Sequence, residues 1–493
     1  MTSRPFRPGP VIGLVGLAYL ATPCPVHAQS APSLTLEQAV LEALSHNDRI
    51  AAQRDAATQA DLGVRLAKNA FQPKVTPNIL GSFGQTNVSS QTYRVDVSQR
   101  FVTGTEARVS AGAASAQIPG SALGASSDIR FYNADTTLTV TQPLLRGFGT
   151  AATRRTLSGA EFRREDADRY QRLTEQQVAL DVATAYYRVV SQEASAEIAQ
   201  QSLARARTLR DASEAKLDAG LVSQLDVLRA QQLVSGAEDQ LFDARASVGD
   251  ARDQLLFLLG REPGDAALAL DHTLPSPDLT PVDLDEAAAT ALRNRVDLKS
   301  RIDGAADAAR QVRFARNMLL PQVDVNLALT RRETSHALLR SFGLDGYQFA
   351  TFFTIAMPVD RTAPLVDYQN AVLEETRRQR DLTTFERQLV IDVKRAVRDR
   401  DRALRTVAAA DTMADISRRE VDVAQLRYDR GLSNNLDVIT AEGARLAADL
   451  RRLQALADAA VASLRLRATL GTLDPRTDIG RSPTALPQSV AAR

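Results

Sequence analysis

The chain repeats itself, and the repeat constrains the fold more than any single motif. Leu36-Glu37-Gln38-Ala39 returns 248 residues later as Leu284-Asp285-Glu286-Ala287. At the same offset Ala43-Leu44 meets Ala291-Leu292, and Pro73-Lys74-Val75 meets Pro321-Gln322-Val323. A second register, 211 residues apart, joins Leu180-Asp181-Val182 to Ile391-Asp392-Val393 and Gly220-Leu221 to Gly431-Leu432. It also joins Leu225-Asp226-Val227 to Leu436-Asp437-Val438 and Leu259-Gly260 to Leu470-Gly471. The change of register places extra residues in the first copy, between about 85 and 130. The chain therefore divides into a first structural repeat, 29–282, a second, 283–473, and a tail, 474–493. A stretch rich in Pro and Asp, about 261–281, links the copies.

Each copy reads as a helix, a variable middle and two further helices. Residues 35–70 and 283–318 are expected as single helices, closed by Pro73 and Pro321. Thr35 with Gln38, and Asp283 with Glu286, have the spacing of an N-cap and its N3 partner. Residues 151–219 lack proline and predict one helix of about 100 Å, matched by 365–430. Gly220 and Gly431 fall where a left-handed residue ends a helix, with new helices expected at once over 221–260 and 434–470. Val234, Ala237, Leu241, Ala244, Val248, Ala251, Leu255 and Leu258 step by three and four, as do Leu446, Leu450, Leu453, Ala457, Ala460 and Leu464. That is a coiled-coil seam made partly of small residues. Aromatics are only 5% and Trp is absent, which disfavours a large compact core. The Arg- and Asp-rich flanks read as solvated helix faces.

The middles, about 73–142 and 321–358, have a different period. Val323, Val325, Leu327 and Leu329 alternate with Asp324, Asn326, Ala328 and Thr330. Tyr347, Phe349, Thr351, Phe353, Ile355 and Met357 continue the pattern, and Tyr132, Ala134, Thr136, Leu138 and Val140 mirror it in the first copy. Strands of about ten residues with one apolar and one polar face suit a transmembrane β-barrel. They also suit a soluble sheet with one wet face.

Arg4 and Arg7 precede the apolar run from Val11 to Ala21, and Val26-His27-Ala28 closes the segment. This is the layout of a signal peptide, residues 1–28, cut after Ala28. The run is too short to cross a bilayer as a helix. Cys24, the single cysteine, leaves with it; a lipid anchor there is the alternative, although Pro23 stands where such signals carry Gly or Ala. Export and the absence of another apolar run of 18 residues leave a β-barrel or a surface contact as routes to a membrane.

Chemistry is sparse. Lys and Arg total 60 against 59 Asp and Glu, a balance that argues against a nucleic-acid partner. One Cys and four scattered His give no metal-ligand spacing, and Gly81-Ser82-Phe83-Gly84 lacks a phosphate-loop context. No catalytic, cofactor-binding or metal residue is assigned, and no enzyme activity is expected.

The order and duplication of these features resemble the TolC-like outer-membrane efflux protein family. The residues that carry the likeness are Gly220-Leu221-Val222-Ser223-Gln224-Leu225-Asp226-Val227-Leu228 and Arg430-Gly431-Leu432-Ser433-Asn434-Asn435-Leu436-Asp437-Val438. Leu470-Gly471-Thr472-Leu473 and Thr141-Gln142-Pro143-Leu144-Leu145 belong to it as well. The resemblance implies a mainly α fold with a β-barrel part: a homotrimer sharing one barrel in outer-membrane lipid and one α-helical barrel in the periplasm. It implies a channel or exit duct of a tripartite efflux pump or type I secretion system. A periplasmic adaptor (membrane fusion protein) and an inner-membrane transporter would be its partners, with Gly220, Leu221, Gly431 and Leu432 at the docking tip. Asp226, Tyr428 and Asp437 match the family's periplasmic gate positions, whereas Ser433 and Thr440 depart from it, with Arg427 or Arg430 as substitutes. The bland reading of Asp226 and Asp437 is N3 of a capped helix, opposite Ser223 and Asn434. Residues 91–117 resemble an added hairpin turning at Thr103-Gly104-Thr105, where the family has two strands per copy. It either widens the barrel or stands outside it. A periplasmic coiled-coil scaffold or adaptor is the competing class.

Overall fold

The computed structural model describes residues 33–81, 89–118, 129–262, 269–276, 278–335, 346–477 and 479. The expected signal peptide lies outside the described residues, as does most of the expected tail. The first repeat runs α1 (Leu36–His46), α2 (Asp48–Asn69), β1 (Lys74–Gly81), β2 (Ser89–Arg100), β3 (Glu106–Ile118), β4 (Ile129–Pro143), α3 (Thr150–Thr153), α4 (Arg155–Asp218) and α5 (Gln224–Leu259). The second runs α6 (Leu284–Asn294), α7 (Val296–Met318), β5 (Gln322–Ser335), β6 (Gln348–Ala356), α8 (Thr362–Asp429) and α9 (Asn435–Leu470). No helix among the described residues is long and apolar enough to cross a membrane.

Four helix expectations need correction. The segments 35–70 and 283–318 are not single helices: each breaks, at Asn47 and at Arg295. Asn47 has ψ 128° and serves both helices, closing α1 and capping α2 through Arg49 N–H. Its amide also donates to Leu258 O at 2.8 Å. Arg295 takes the same extended backbone, ψ 120°. The kinks coincide at the repeat offset, and each faces a glycine. Gly260 (φ 77°) and Gly471 (φ 70°) end α5 and α9 in the left-handed region. A Cβ on Gly260 would stand 2.7 Å from His46 O; one on Gly471 would stand 3.1 Å from the Asn294 carbonyl carbon. The repeated Leu-Gly pair thus lets each long hairpin butt against a helix break.

The 151–219 segment likewise divides, at Arg154, into α3 and the 64-residue α4. The helix expected over 221–260 starts only at Gln224, because Ser223 acts as its N-cap first; α9 begins within one residue of the expected 434, with Asn434 as its N-cap.

Both long hairpins, α4–α5 and α8–α9, are closed by small-residue seams. Ala199, Leu203 and Ala206 meet Val234, Ala237 and Leu241 in the first, and Val407 and Ala410 meet Ala455 and Ala459 in the second. The α9 seam differs from its expected register. Leu446 and Ala457 are buried, while Leu450, Leu453, Ala460 and Leu464 are only half-buried. The reason is that α9 serves two neighbours: Ala457 joins the first repeat's core while Ala455 and Ala459 face α8. Around the waist, α1 packs on α4 through Val40, Ala43, Val182 and Tyr186. Tyr186 Oη donates to Leu34 O at 3.0 Å or Asp271 O at 2.9 Å, beside the parallel bridge between Leu34 and Leu270. Burial raises that phenol's pKa to about 12, so the hydroxyl keeps its proton.

The strands form one antiparallel sheet in the order β1-β2-β3-β4-β5-β6. Register separates the faces. Val75, Tyr93, Val95, Val97, Val109, Leu138, Val140, Val323, Leu327, Phe353 and Ile355 share one face across all six strands. Thr76, Asp96, Ser98, Arg108, Ser110, Thr139, Thr141, Asn326 and Thr354 share the other. Leu80 and Phe352 are large apolar side chains on the polar face. Among the described residues the apolar face lacks a protein cover: Ile79 is 78% exposed, Phe353 67% and Ile355 73%.

Candidate channel and docking tip

The end of the molecule opposite the sheet is two helical turns. In the first, Gly220 (φ 72°) reverses the chain, its N–H donating to Leu217 O and that of Leu221 to Lys216 O, both at 2.8 Å. In the second, Gly431 (φ 69°) does the same, with Leu432 N–H reaching Arg427 O at 2.9 Å. These bonds satisfy carbonyls that a helix end leaves orphaned. They also thrust a leucine outward from each turn: Leu221 is 74% exposed and Leu432 71%. Nothing lies within 4 Å of a Cβ built on either glycine, so the backbone angle, and not crowding, requires glycine there.

Asp226 sits at N3 of α5 and is engaged in capping. Its carboxylate accepts from Ser223 N–H at 3.1 Å and Ser223 Oγ at 2.8 Å, while Ser223 Oγ accepts from Asp226 N–H at 3.3 Å. Arg229 adds an ion pair at 3.8 Å. The parallel expected for Asn434 and Asp437 does not hold. Asn434 instead accepts from Leu436 N–H at 3.1 Å. Asp437 is exposed and makes no hydrogen bond or ion pair among the described residues.

Tyr428 is buried at the end of α8, within a cluster of Leu209, Val421, Ala424, Val438 and Ala441. Its hydroxyl lies 2.9 Å from Ser213 Oγ on α4. Lys216 Nζ stands 3.5 Å from the Tyr428 ring centroid and donates to Tyr428 O at 3.0 Å. The three expected gate residues lie near the two turns, and no hydrogen bond or ion pair joins their side chains to one another among the described residues. The two hairpins are joined through residues to which the sequence reading gave no role. Ser213 and Lys216 hold Tyr428, Asn435 Nδ2 donates to Asp226 O at 2.6 Å, and Arg205 pairs with Glu442 at 2.8 Å. Asn435 Oδ1 is buried without a partner. The sequence signal for these was their polar character inside an apolar seam, which spacing alone does not distinguish from a wet helix face.

The outer membrane efflux protein family model matches residues 39–261 and 287–472, one match per repeat. The chain belongs to that family. Solvent efflux pump outer membrane protein SrpC of Pseudomonas putida is 25% identical over 278 residues, 54% of this chain and 56% of SrpC. The chain thus spans about half the length of the first curated relatives it matches. Outer membrane efflux protein BepC of Brucella suis aligns more fully, 24% identical over 93% of this chain and 90% of its own length. Among solved structures, the outer membrane protein VceC of Vibrio cholerae superposes with a TM-score of 0.67 at 17% identity, covering 88% of this chain and 96% of that one. That likeness carries the fold: a helical barrel joined to a β part. Membership places the sheet in the outer membrane and the helices in the periplasm. This is a transport family and not an enzyme class.

Proposed function

We propose that three copies of this chain build the outer-membrane exit duct of a tripartite efflux pump. One observation carries the reading. A single chain joins a six-stranded sheet, whose apolar face has no protein cover among the described residues, to paired helical hairpins ending in exposed leucines. The apolar face suits lipid. The leucine-tipped turns offer a partner exposed apolar side chains, Leu221 and Leu432. A periplasmic adaptor fits that place, and an inner-membrane transporter would feed the duct from below. The relatives' names specify solvents, toluene and fusaric acid, so small apolar or aromatic molecules are the cargo class proposed here. At rest the duct is closed at the level of Asp226, Tyr428 and Asp437, and opening swings one hairpin from the other at the Tyr428 and Asn435 bonds. The test is complementation. Cells lacking this protein and supplied with its pump should regain resistance to aromatic solvents when the wild type is restored. Continued sensitivity, with trimers present in the outer membrane, would overturn the reading.

A further inference from the structure

The added hairpin of the first repeat, β2–β3, is decided by its neighbours in the sheet. It lies in line between β1 and β4 and is paired on both sides, β2 to β1 from Lys74↔Ser98 to Gly81↔Gln91 and β3 to β4 over its whole length from Glu106↔Thr141 to Ile118↔Ile129. Strands of 12 and 13 residues exceed the ~9–11 that a tilted transmembrane strand needs. Both also obey the division of faces that the other four strands follow: Tyr93, Val95, Val97 and Val109 on the apolar side, Asp96, Ser98, Arg108 and Ser110 on the polar side.

Two polar devices lock the hairpin into place. Arg94 on β2 reaches across β3 to Asp135 on β4, at 3.3 Å. It passes over Gly112, where a Cβ would stand 3.0 Å from Asp135 Oδ1 and 3.3 Å from Arg94 Nε. Glycine is therefore required by the bridge and not by a bulge. Asn78 on β1 donates to Asp96 on β2 at 3.0 Å, so side-chain bonds on the polar face connect β1 to β2 and β2 to β4. At the helical end, the turn is fixed too. Gly149 N–H donates to Thr103 O at 3.1 Å, Thr105 Oγ1 bonds Gln142, and a Cβ on Gly104 would stand 2.8 Å from Gly147 O.

The sheet leaves two edges, β1 and β6, each paired on one side only. In hydrocarbon an unpaired strand edge is untenable, because no water satisfies its N–H and C=O groups. Along the meander, odd strands run one way and even strands the other. So β6 of one copy meets β1 of the next as an antiparallel pair. The faces match as well: Phe349, Phe353 and Ile355 on one edge continue into Val75 and Ile79 on the other. From this we infer that a second copy occupies each edge, and that β2–β3 is barrel wall, so that three copies close a ring of eighteen strands, six from each. Barrel diameter grows about linearly with strand number. Eighteen strands instead of the twelve expected of two per repeat therefore give a lumen about 1.5 times as wide, in the range that leaves an aqueous channel. The helical part gains nothing from the hairpin. The outer-membrane end then ceases to limit the size of what leaves, and the periplasmic tip becomes the only sieve.

The count of eighteen rests on the trimer proposed above; the place of the hairpin does not, and the experiment separates the two. Single cysteines are placed in the full-length protein, in outer-membrane vesicles, at Val95, Val97 and Val109 and at Ser98 and Ser110. A membrane-impermeant maleimide added with detergent-free buffer should label the two serine positions at least tenfold faster than the three valine positions. Equal labelling of both sets means that the hairpin stands outside the wall and overturns the inference. Electron cryo-microscopy of the wild type in lipid nanodiscs then counts strands per copy and copies per ring. Six per copy in a ring of three is the expected result. Four per copy overturns the hairpin assignment, whereas six per copy in a ring of two or four overturns the trimer and the eighteen-strand count.

Discussion

Tyr428 Oη and Ser213 Oγ lie 2.9 Å apart, in a buried contact between residues 215 positions distant in sequence. One group comes from each half of the tandem repeat, so the bond ties the two helical hairpins together just above their tips. The ring is also held from its face by Lys216. A tip that opens must give up this bond or carry both hairpins along with it.

Removing the hydroxyl tests that tie. Tyr428→Phe keeps the packing and strands Ser213, at a cost of about 1–3 kcal/mol for a buried polar group left alone. Ser213→Ala with Tyr428→Phe should cost less than the sum of the two single changes, because residues in one hydrogen bond are coupled. Hydrogen exchange of amides at 205–228 and 421–440 should quicken in each single mutant. Single-channel conductance in a planar bilayer should rise in the same order. Faster exchange with unchanged conductance would make the bond structural only.

The two kink-facing glycines make a sharper contrast. Gly260→Ala puts a methyl group 2.7 Å from His46 O on a backbone with φ 77°. Backbone cannot retreat as a side chain can, so a loss of well over 1 kcal/mol is expected from overpacking and strain together. Gly220→Ala has the same sign of φ and open space, and should cost only the ~1 kcal/mol of the left-handed conformation. Thermal unfolding of the detergent-solubilised protein should rank Gly260→Ala below Gly220→Ala. Equal melting would show that the waist relaxes around the methyl.

These contrasts show what the sequence contained. The repeat offset relates the two kinks, since His46-Asn47 and Asn294-Arg295 lie 248 residues apart, but it did not reveal them, because helical periodicity runs through each and both segments read as single helices. Asn47 breaks its helix because its side chain can cap the next one, and Arg295 has no such signature. Strand faces were legible because a period of two has a single reading once one face is apolar. The order of strands was not, since hairpin 91–117 obeys the same alternation in the wall or out of it. At the tip, Gly220 and Gly431 were legible from the backbone they demand. Ser213, Lys216 and Asn435 were not, because a polar residue in an α-helix declares its partner only when the neighbouring helix is in place.

The lipid face admits a direct trial. Leu327 and Phe353 point to the apolar side, 40% and 67% exposed, while Thr141 and Asn326 bond each other at 2.9 Å on the polar side. A charge on the lipid face costs on the order of 2–4 kcal/mol for basic residues and less for acids. Leu327→Arg or Phe353→Arg should reduce trimers recovered from the outer membrane several-fold. Thr139→Arg, on the opposite face of the same sheet, should assemble normally. Equal losses on both faces would contradict the division of faces.

Docking at the tip can be separated from assembly. Leu221→Glu and Leu432→Glu replace exposed side chains, so folding loses little. Outer-membrane trimers should therefore remain at wild-type levels while resistance to pump substrates falls to that of the deletion strain, and crosslinking of the adaptor should disappear. Export that survives both changes would move the docking surface elsewhere.

The two acidic gate candidates, Asp226 and Asp437, finally divide into one with a structural task and one without. Asp226 caps α5 and is bonded through both its side chain and its carbonyl, so Asp226→Ala should destabilise that helix start by about 1 kcal/mol. Any rise in conductance from it is mixed with loosening of that helix start, since the Asn435 bond is to the backbone carbonyl and is kept. Asp437 is free of such ties: the cap of α9 is Asn434, and the Asp437 carboxylate is exposed. Its remaining local contribution is the favourable placement of a negative charge at a helix N-terminus, about 0.3–1 kcal/mol and screened by salt. Asp437→Asn is therefore a nearly pure removal of charge, three charges per proposed trimer. If those carboxylates ring the closed tip, reversal potentials across a potassium chloride gradient should shift toward anions in Asp437→Asn, most at low salt where screening is weakest. Conductance at 1 M salt should change little. Asp226→Asn serves as the control, because Asn also caps helices well and the native Asp226 charge is already offset by Arg229 at 3.8 Å. A smaller shift than that of Asp437→Asn is expected there. Equal shifts from the two would show that both carboxylates face the conduit, and no shift from either would remove the acidic ring from the account of gating.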